Sequence, residues 1–112
     1  MKLSQVDKFA RSLPEVTEEP HFKYSSFRVR GKIFVTVPPD AKHIHVFVGD
    51  QHREPALAMH PEFLSKLTWG GKVVGLRVEL EPADAAVVQQ LVRDAWEAKA
   101  PKSLIPGHRR TS

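Results

Sequence analysis

The chain has 112 residues, 41% of them hydrophobic and 27% charged, and no cysteine. That fits one soluble domain with a single core. The missing thiols exclude disulfide staples, a thiolate nucleophile and thiolate metal sites. The net charge of +4 points to an acidic partner, yet Lys99, Lys102, Arg109 and Arg110, in a terminal stretch without acids, account for all of it. The body is balanced except over residues 21–49, where Lys23, Arg28, Arg30, Lys32 and Lys42 face Asp40 alone.

The opening MKLSQVDKFARSL lacks the apolar run of a leader, and no segment has the length of a membrane span. A cytoplasmic protein with no membrane partner is expected. Leu3, Val6, Ala10 and Leu13, widened by Phe9, recur at helical spacing. Ser4 is the expected cap with Asp7 three residues on, and Pro14 stops the helix.

A short strand around Val16–Glu18 and a loop come next. Two β-rich runs, Phe27–Val29 and Ile33–Val37, flank Arg30-Gly31-Lys32 and predict a hairpin. Pro38-Pro39-Asp40 is a turn. Ile44, Val46 and Val48 alternate with His43, His45 and Phe47 at the period of a strand. Residues 51–59 predict a short helix with Pro55 near its first turn. HPEFLSKLTWGG reads as irregular or one more helical turn, with a turn at Gly70-Gly71.

Val74, Leu76, Val78 and Leu80 alternate with Gly75, Arg77 and Glu79, which predicts a strand. A last helix starts after Pro82 with Asp84 in its first turn, carries the stripe Val88, Leu91, Val92, Ala95 and Trp96, and ends before Pro101. Residues 1–104 form one domain and residues 105–112 a basic, mobile tail. Strands between terminal helices define an α+β protein with an antiparallel sheet covered on one face.

The order LPEVTEEPHFKYSSFRVRGKIF, HPEF, Trp69, VGLRVEL and AWEAKAPKSL, from about Phe9 to Leu104, resembles the MmcQ/YjbR family of small bacterial proteins. The most specific pieces are Phe27 to Lys32 and Ala95-Trp96 followed by Ala100-Pro101-Lys102. The resemblance implies a CyaY-like α+β fold, with N- and C-terminal helices on one face of an antiparallel sheet. It implies no established enzyme activity, and a label of DNA binding through wing-like hairpins that rests on fold analogy. Frataxin-type relatives of that fold bind iron through an acidic first helix. Here Lys2, Lys8 and Arg11 stand against Asp7, so that route does not carry over.

With Phe27, Val29, Ile33 and Val35 turned to the helices, Arg28, Arg30, Phe34 and Thr36 turn outward. His43, His45 and Phe47 join them when Ile44 and Val46 face in. A two-residue turn at Gly31-Lys32 would set Arg30 against Ile33 and mix the faces, so a longer loop is expected. Cations beside aromatic rings on an open sheet stack unpaired bases and hold phosphates. The candidate nucleic-acid set is Lys23, Arg28, Arg30, Lys32, Phe34 and Phe47, with Lys102, Arg109 and Arg110 as unspecific phosphate contacts. An ordinary solvated sheet face uses the same residue types and is the commoner outcome.

His43 and His45 share a strand face and are weak metal candidates that need a third ligand from His21, His52 or His60. Glu15, Glu18 and Glu19 read as a solvated loop, and Ser25-Ser26 lacks the setting of a nucleophile. No cofactor motif and no catalytic grouping is present, so an enzyme is not expected. Three classes stay open: a nucleic-acid-binding protein, a protein-interaction module docking through Phe34 and Phe47, and a small-ligand or metal site near His43, His45 and Trp69.

Overall fold

A computed structural model describes residues 1–105 of the chain. In chain order it runs α1 (Leu3–Ser12), β1 (Val16–His21), β2 (Tyr24–Val29), β3 (Lys32–Val37), β4 (His43–Val46), α2 (Asp50–Met59), β5 (Leu64–Trp69), β6 (Lys72–Glu79) and α3 (Ala85–Lys99), closed by a short 3₁₀ turn at Lys102–Leu104. The strands form one six-stranded sheet in the order β1-β2-β3-β4-β6-β5, with every neighbouring pair antiparallel. The protein is α+β, as its pattern of elements implies.

All three helices lie on one face. α1 packs on α3 and β1, α3 on β3 and β4, and α2 on α3, β5 and β6. Val6 and Ala10 of α1 and Val88, Leu91, Val92, Ala95 and Trp96 of α3 share a core with Phe27, Val29, Val35, Ile44, Val46, Leu76 and Val78. Trp96 is fully buried, and its indole N–H donates to the carbonyl of Pro14 at 3.1 Å. This bond fixes the last helix to the link between α1 and β1.

Local chemistry sets the helix ends. α3 is capped by Asp84, whose carboxylate accepts from the N–H groups of Ala86 and Val87. α1 starts before the expected Ser4: Lys2 is its cap residue, and the Gln5 side chain accepts from the Lys2 N–H at 2.7 Å. α2 forms although Pro55 sits inside it, and it buries no residue fully.

Three turns connect the hairpins with two residues each. Arg30 and Gly31 join β2 to β3, both at positive φ (52° and 82°), the signature of a type I′ turn. Gly70 and Gly71 do the same between β5 and β6, at 57° and 80°. Phe22 and Lys23 join β1 to β2, with Phe22 at φ 59°.

The short β2–β3 turn corrects the expectation of a longer loop. It pairs Val29 with Lys32 and Arg28 with Ile33, which by itself would turn Val35 outward. A bulge in β3 restores the phase: Phe27 pairs with Val35, so Phe34 and Val35 together oppose Phe27. Phe34 is therefore core, fully buried, and not part of the outer face. Ile33 takes the outward place beside Arg28.

β5 occupies the segment expected to be irregular. It is an edge strand with burial at Leu64 and Leu67 only, so it lacks the alternation that marks a half-buried strand. The other edge, β1, carries Pro20 and two glutamates, features that blunt pairing with another chain. Gly75 faces β4 at close range: a Cβ there would lie 2.2 Å from the Val46 carbonyl oxygen.

Phe34→Ala is expected to cost about 3–5 kcal/mol in urea unfolding, the cost of emptying a buried ring site; a loss below 1 kcal/mol would place the ring on the solvent face. Gly75→Ala must push β4 from β6 and is expected to destabilise by about 1–3 kcal/mol.

Candidate nucleic-acid interface

The face opposite the helices carries the chemistry. Side chains that alternate away from the core are Tyr24, Ser26 and Arg28 on β2, Thr36 on β3, His43 and His45 on β4, Ser65, Leu67 and Trp69 on β5, and Arg77 and Glu79 on β6; a register shift between β5 and β6 brings Lys72 to the same face opposite Trp69. The cross-strand register Glu19–Ser26–Thr36–His45–Arg77–Ser65 runs straight across it.

The centre of this row is polar yet buried: Ser26 is 0% exposed, Thr36 2% and His45 6%. Each has a partner. The Ser26 hydroxyl donates to the Glu19 carbonyl at 2.7 Å and accepts from Arg28 Nε at 3.0 Å. Thr36 Oγ1 and His45 Nδ1 share a hydrogen bond of 3.3 Å. Burial pushes the His45 imidazole below its ordinary pKa, and the positive charge of Arg77 and the neighbouring His43 push in the same direction against Asp40.

Aromatic rings cross this face in a diagonal line. At one end Phe47 and Trp69 are 5.2 Å apart, and Trp69 is half exposed. His45 stands two residues before Phe47, which follows β4 directly, with its ring 5.9 Å from Tyr24. Tyr24 pairs across the turn with His21, whose ring lies edge-on to Phe22 at 4.8 Å. Phe22 closes the line, 93% exposed on the hairpin tip. Lys72 stands opposite Trp69 and Arg77 opposite His45. Among the described residues no carboxylate lies within ion-pair distance of Arg28, Lys72 or Arg77.

The residues singled out from sequence divide. Arg28 is on the outer face, half-buried, and also donates to the Pro20 carbonyl at 3.3 Å. Phe47 is there too. Phe34 is not, because of the bulge. Arg30 leaves the face altogether: from the turn it makes two bonds to the Glu15 carboxylate, at 2.6 and 3.0 Å. The pairing holds Glu15 below the usual carboxylate range and raises the guanidinium.

Lys23, Lys32 and Lys102 are exposed, Lys23 beside Phe22 at the tip and Lys32 at the start of β3. Arg109, Arg110 and the rest of the tail beyond Ile105 lie outside the described residues. Sequence reasoning missed Tyr24, Phe22, Lys72 and Arg77, and weighed His21 only as a metal ligand. The signal for Arg77 was present, since it alternates away from Val74, Leu76 and Val78; Lys72 has their parity and reaches the outer face only through the register shift between Leu67 and Thr68, which no spacing reveals.

His43 and His45 share the face, as their spacing requires. His43 Nδ1 is 3.0 Å from Asp40 Oδ2. Among the described residues no group of three or more His, Asp or Glu is arranged to hold a metal ion. A cleft of about 860 Å³ lies off the diagonal between the start of α1 and the end of β6; His43 is its one residue from the candidate sets. No helix among the described residues is long and apolar enough to cross a membrane.

These features define a small α+β domain that covers one face of its sheet and presents the other. The YjbR family model matches residues 11–98, and the chain belongs to that family. Its fold is similar to that of Deinococcus radiodurans protein DR2400, a solved structure with the domain DUF419. The TM-score is 0.77 at 16% identity, over 98% of this chain and 86% of that one. No curated protein matches the chain.

Because the fold lowers the proton affinity of His45, the unfolded chain binds that proton more readily. Its contribution to stability is complete above the ordinary imidazole value of 6.5 and is lost as pH falls through the lower folded value. Urea midpoints compared between pH 7.5 and mildly acidic buffer are expected to drop for the wild type and to drop less for His45→Gln. Equal drops would remove His45 as the cause.

Proposed function

We propose that the protein is a non-enzymatic, intracellular nucleic-acid-binding module that takes unpaired bases on its helix-free sheet face. The observation that carries this reading is the Phe47–Trp69 pair, with Trp69 half exposed beside Lys72 and with Arg77 further along the same strand beside His45, two cations whose charges no described carboxylate neutralises. Rings supply stacking surface for any base, and cations nearby hold the phosphates. The arrangement suits a single strand, because the bases of a duplex are already stacked on one another. Phosphate contact comes from Lys72 and Arg77, with Arg28 further along the face. This replaces the hairpin tip as the basic element, since Glu15 engages Arg30 there.

A protein-docking module is the second reading, favoured by the exposed rings of Phe22 and Trp69. The two differ in salt dependence. Fluorescence anisotropy with labelled single- and double-stranded DNA and RNA over a salt series is expected to show preferential binding of single strands. Trp69→Ala is expected to weaken binding by about tenfold, within the 1–3 kcal/mol of one stacked base. Lys72→Ala and Arg77→Ala are each expected to flatten the slope of log K against log salt by about 0.7. No oligonucleotide binding at low salt would overturn the reading in favour of a protein partner.

A further inference from the structure

The ring line extends well past the Phe47–Trp69 pair, and its far end has an unusual backbone. Phe22 is the most exposed large apolar residue among those described, at 93%, and it sits at φ 59°. A bulky side chain rarely adopts that conformation, which suits glycine. Its ring is not spent on the core. It packs edge-on to His21 at 4.8 Å and stands beside the cation of Lys23.

Resting on the reading of the open face as a single-strand site, we propose that Phe22 is the far stacking platform of that site. The bound strand runs the whole diagonal from Trp69 past Phe47, His45, Tyr24 and His21 to Phe22. Given the spacing between strands and the rise along them, the line covers roughly 25–30 Å. At a duplex rise of ~3.4 Å per nucleotide this corresponds to about eight nucleotides, and to fewer when the bases are splayed apart. That length falls inside the range of about 4–16 nucleotides typical of basic, aromatic grooves.

Charge along the path is consistent with phosphates. Lys72 stands at the Trp69 end, Arg77 beside His45 and Arg28 on β2 flank the middle, and Lys23 marks the Phe22 tip. The carboxylates of this face lie beside the line: Asp40 and Glu79 flank His43, and Glu19 stands on the β1 edge. The middle of the path is braced from below by the hydrogen-bonded Ser26, Thr36 and His45, so the rings rest on a fixed floor.

The test uses labelled oligothymidylates of about four, eight and twelve residues, with the full chain and the variants Phe22→Ala, Phe22→Gly and Trp69→Ala. Affinity is expected to rise up to about eight nucleotides and then level off. Phe22→Ala and Phe22→Gly are expected to lose about tenfold for the longer strands and nothing for the shortest, while Trp69→Ala loses affinity at every length. Phe22→Gly is also expected to unfold at higher urea than the wild type, so its loss of binding does not come from a damaged fold.

Long-strand affinity unchanged in both Phe22 variants, with Trp69→Ala still weakened, overturns the far platform and leaves the single-strand reading intact. Losses at Phe22 that are equal for all lengths overturn the path. Absence of binding by every oligonucleotide overturns both.

Discussion

The Arg30-Gly31 turn and the bulge behind it govern the phase of the sheet. A two-residue turn is the tightest link between antiparallel strands, and it fixes Arg28 opposite Ile33. Continued unchanged, that register would bury Thr36 and expose Val35 and Val37. The extra residue at Phe34 reverses the phase after two pairs, so two adjacent residues face Phe27 and both enter the core. The row Ser26–Thr36–His45–Arg77 exists on the outer face because of that step. The same bulge that deepens the core beneath α3 thereby lays out the polar floor on the opposite side.

Covering one face only is the second governing constraint. α1 and α3 deliver their apolar stripes to the same side, and α2 follows them there. The other side must then be tolerated in water, or occupied. Tolerance explains the hydrogen-bonded Ser26, Thr36 and His45, which leave no buried side-chain nitrogen or oxygen without a partner among the described residues. It does not explain Trp69 and Phe22, whose exposure carries a hydration cost with no return inside the fold. Arg30 shows how the surface is otherwise handled: a cation in the most prominent turn is met by a carboxylate from the adjoining loop.

Much of this fold could be read from the chain. Pro14, Asp84 and Pro101 act locally, so the ends of α1 and α3 were legible within a few residues. The alternation of Val74, Leu76 and Val78 gave β6. β5 was not legible, because an edge strand with burial at two positions carries neither a strand nor a helix period. The bulge was invisible for a related reason: Phe34 fits an inward or an outward place equally well, and only pairing with Phe27 decides. The site suffered most. Its rings are spread from His21 to Trp69, and no spacing within one segment reveals that His45 meets Tyr24 while Phe47 meets Trp69. Arg30 looked like the most prominent basic residue, and its partner, Glu15, lay fifteen residues away in a segment that read as solvated loop.

α2 sets the hierarchy of local opening. It contributes no fully buried residue, Pro55 removes one of its internal hydrogen bonds, and it contacts its neighbours through half-buried Ala56 and Leu57. Trp96, by contrast, welds α3 to the segment between α1 and β1. Amide protons should therefore leave the molecule in two populations. Those of α2 exchange through small, frequent openings that spare the sheet, while those of β2, β3, β4 and α3 wait for the whole domain to come apart. Of the ring line, Tyr24 and His45 sit in the slow half, while Trp69 lies on the edge strand that leans on α2 and His21 and Phe22 lie on the opposite edge and its turn, so the surface that meets a partner is stiff in its middle and compliant at both ends.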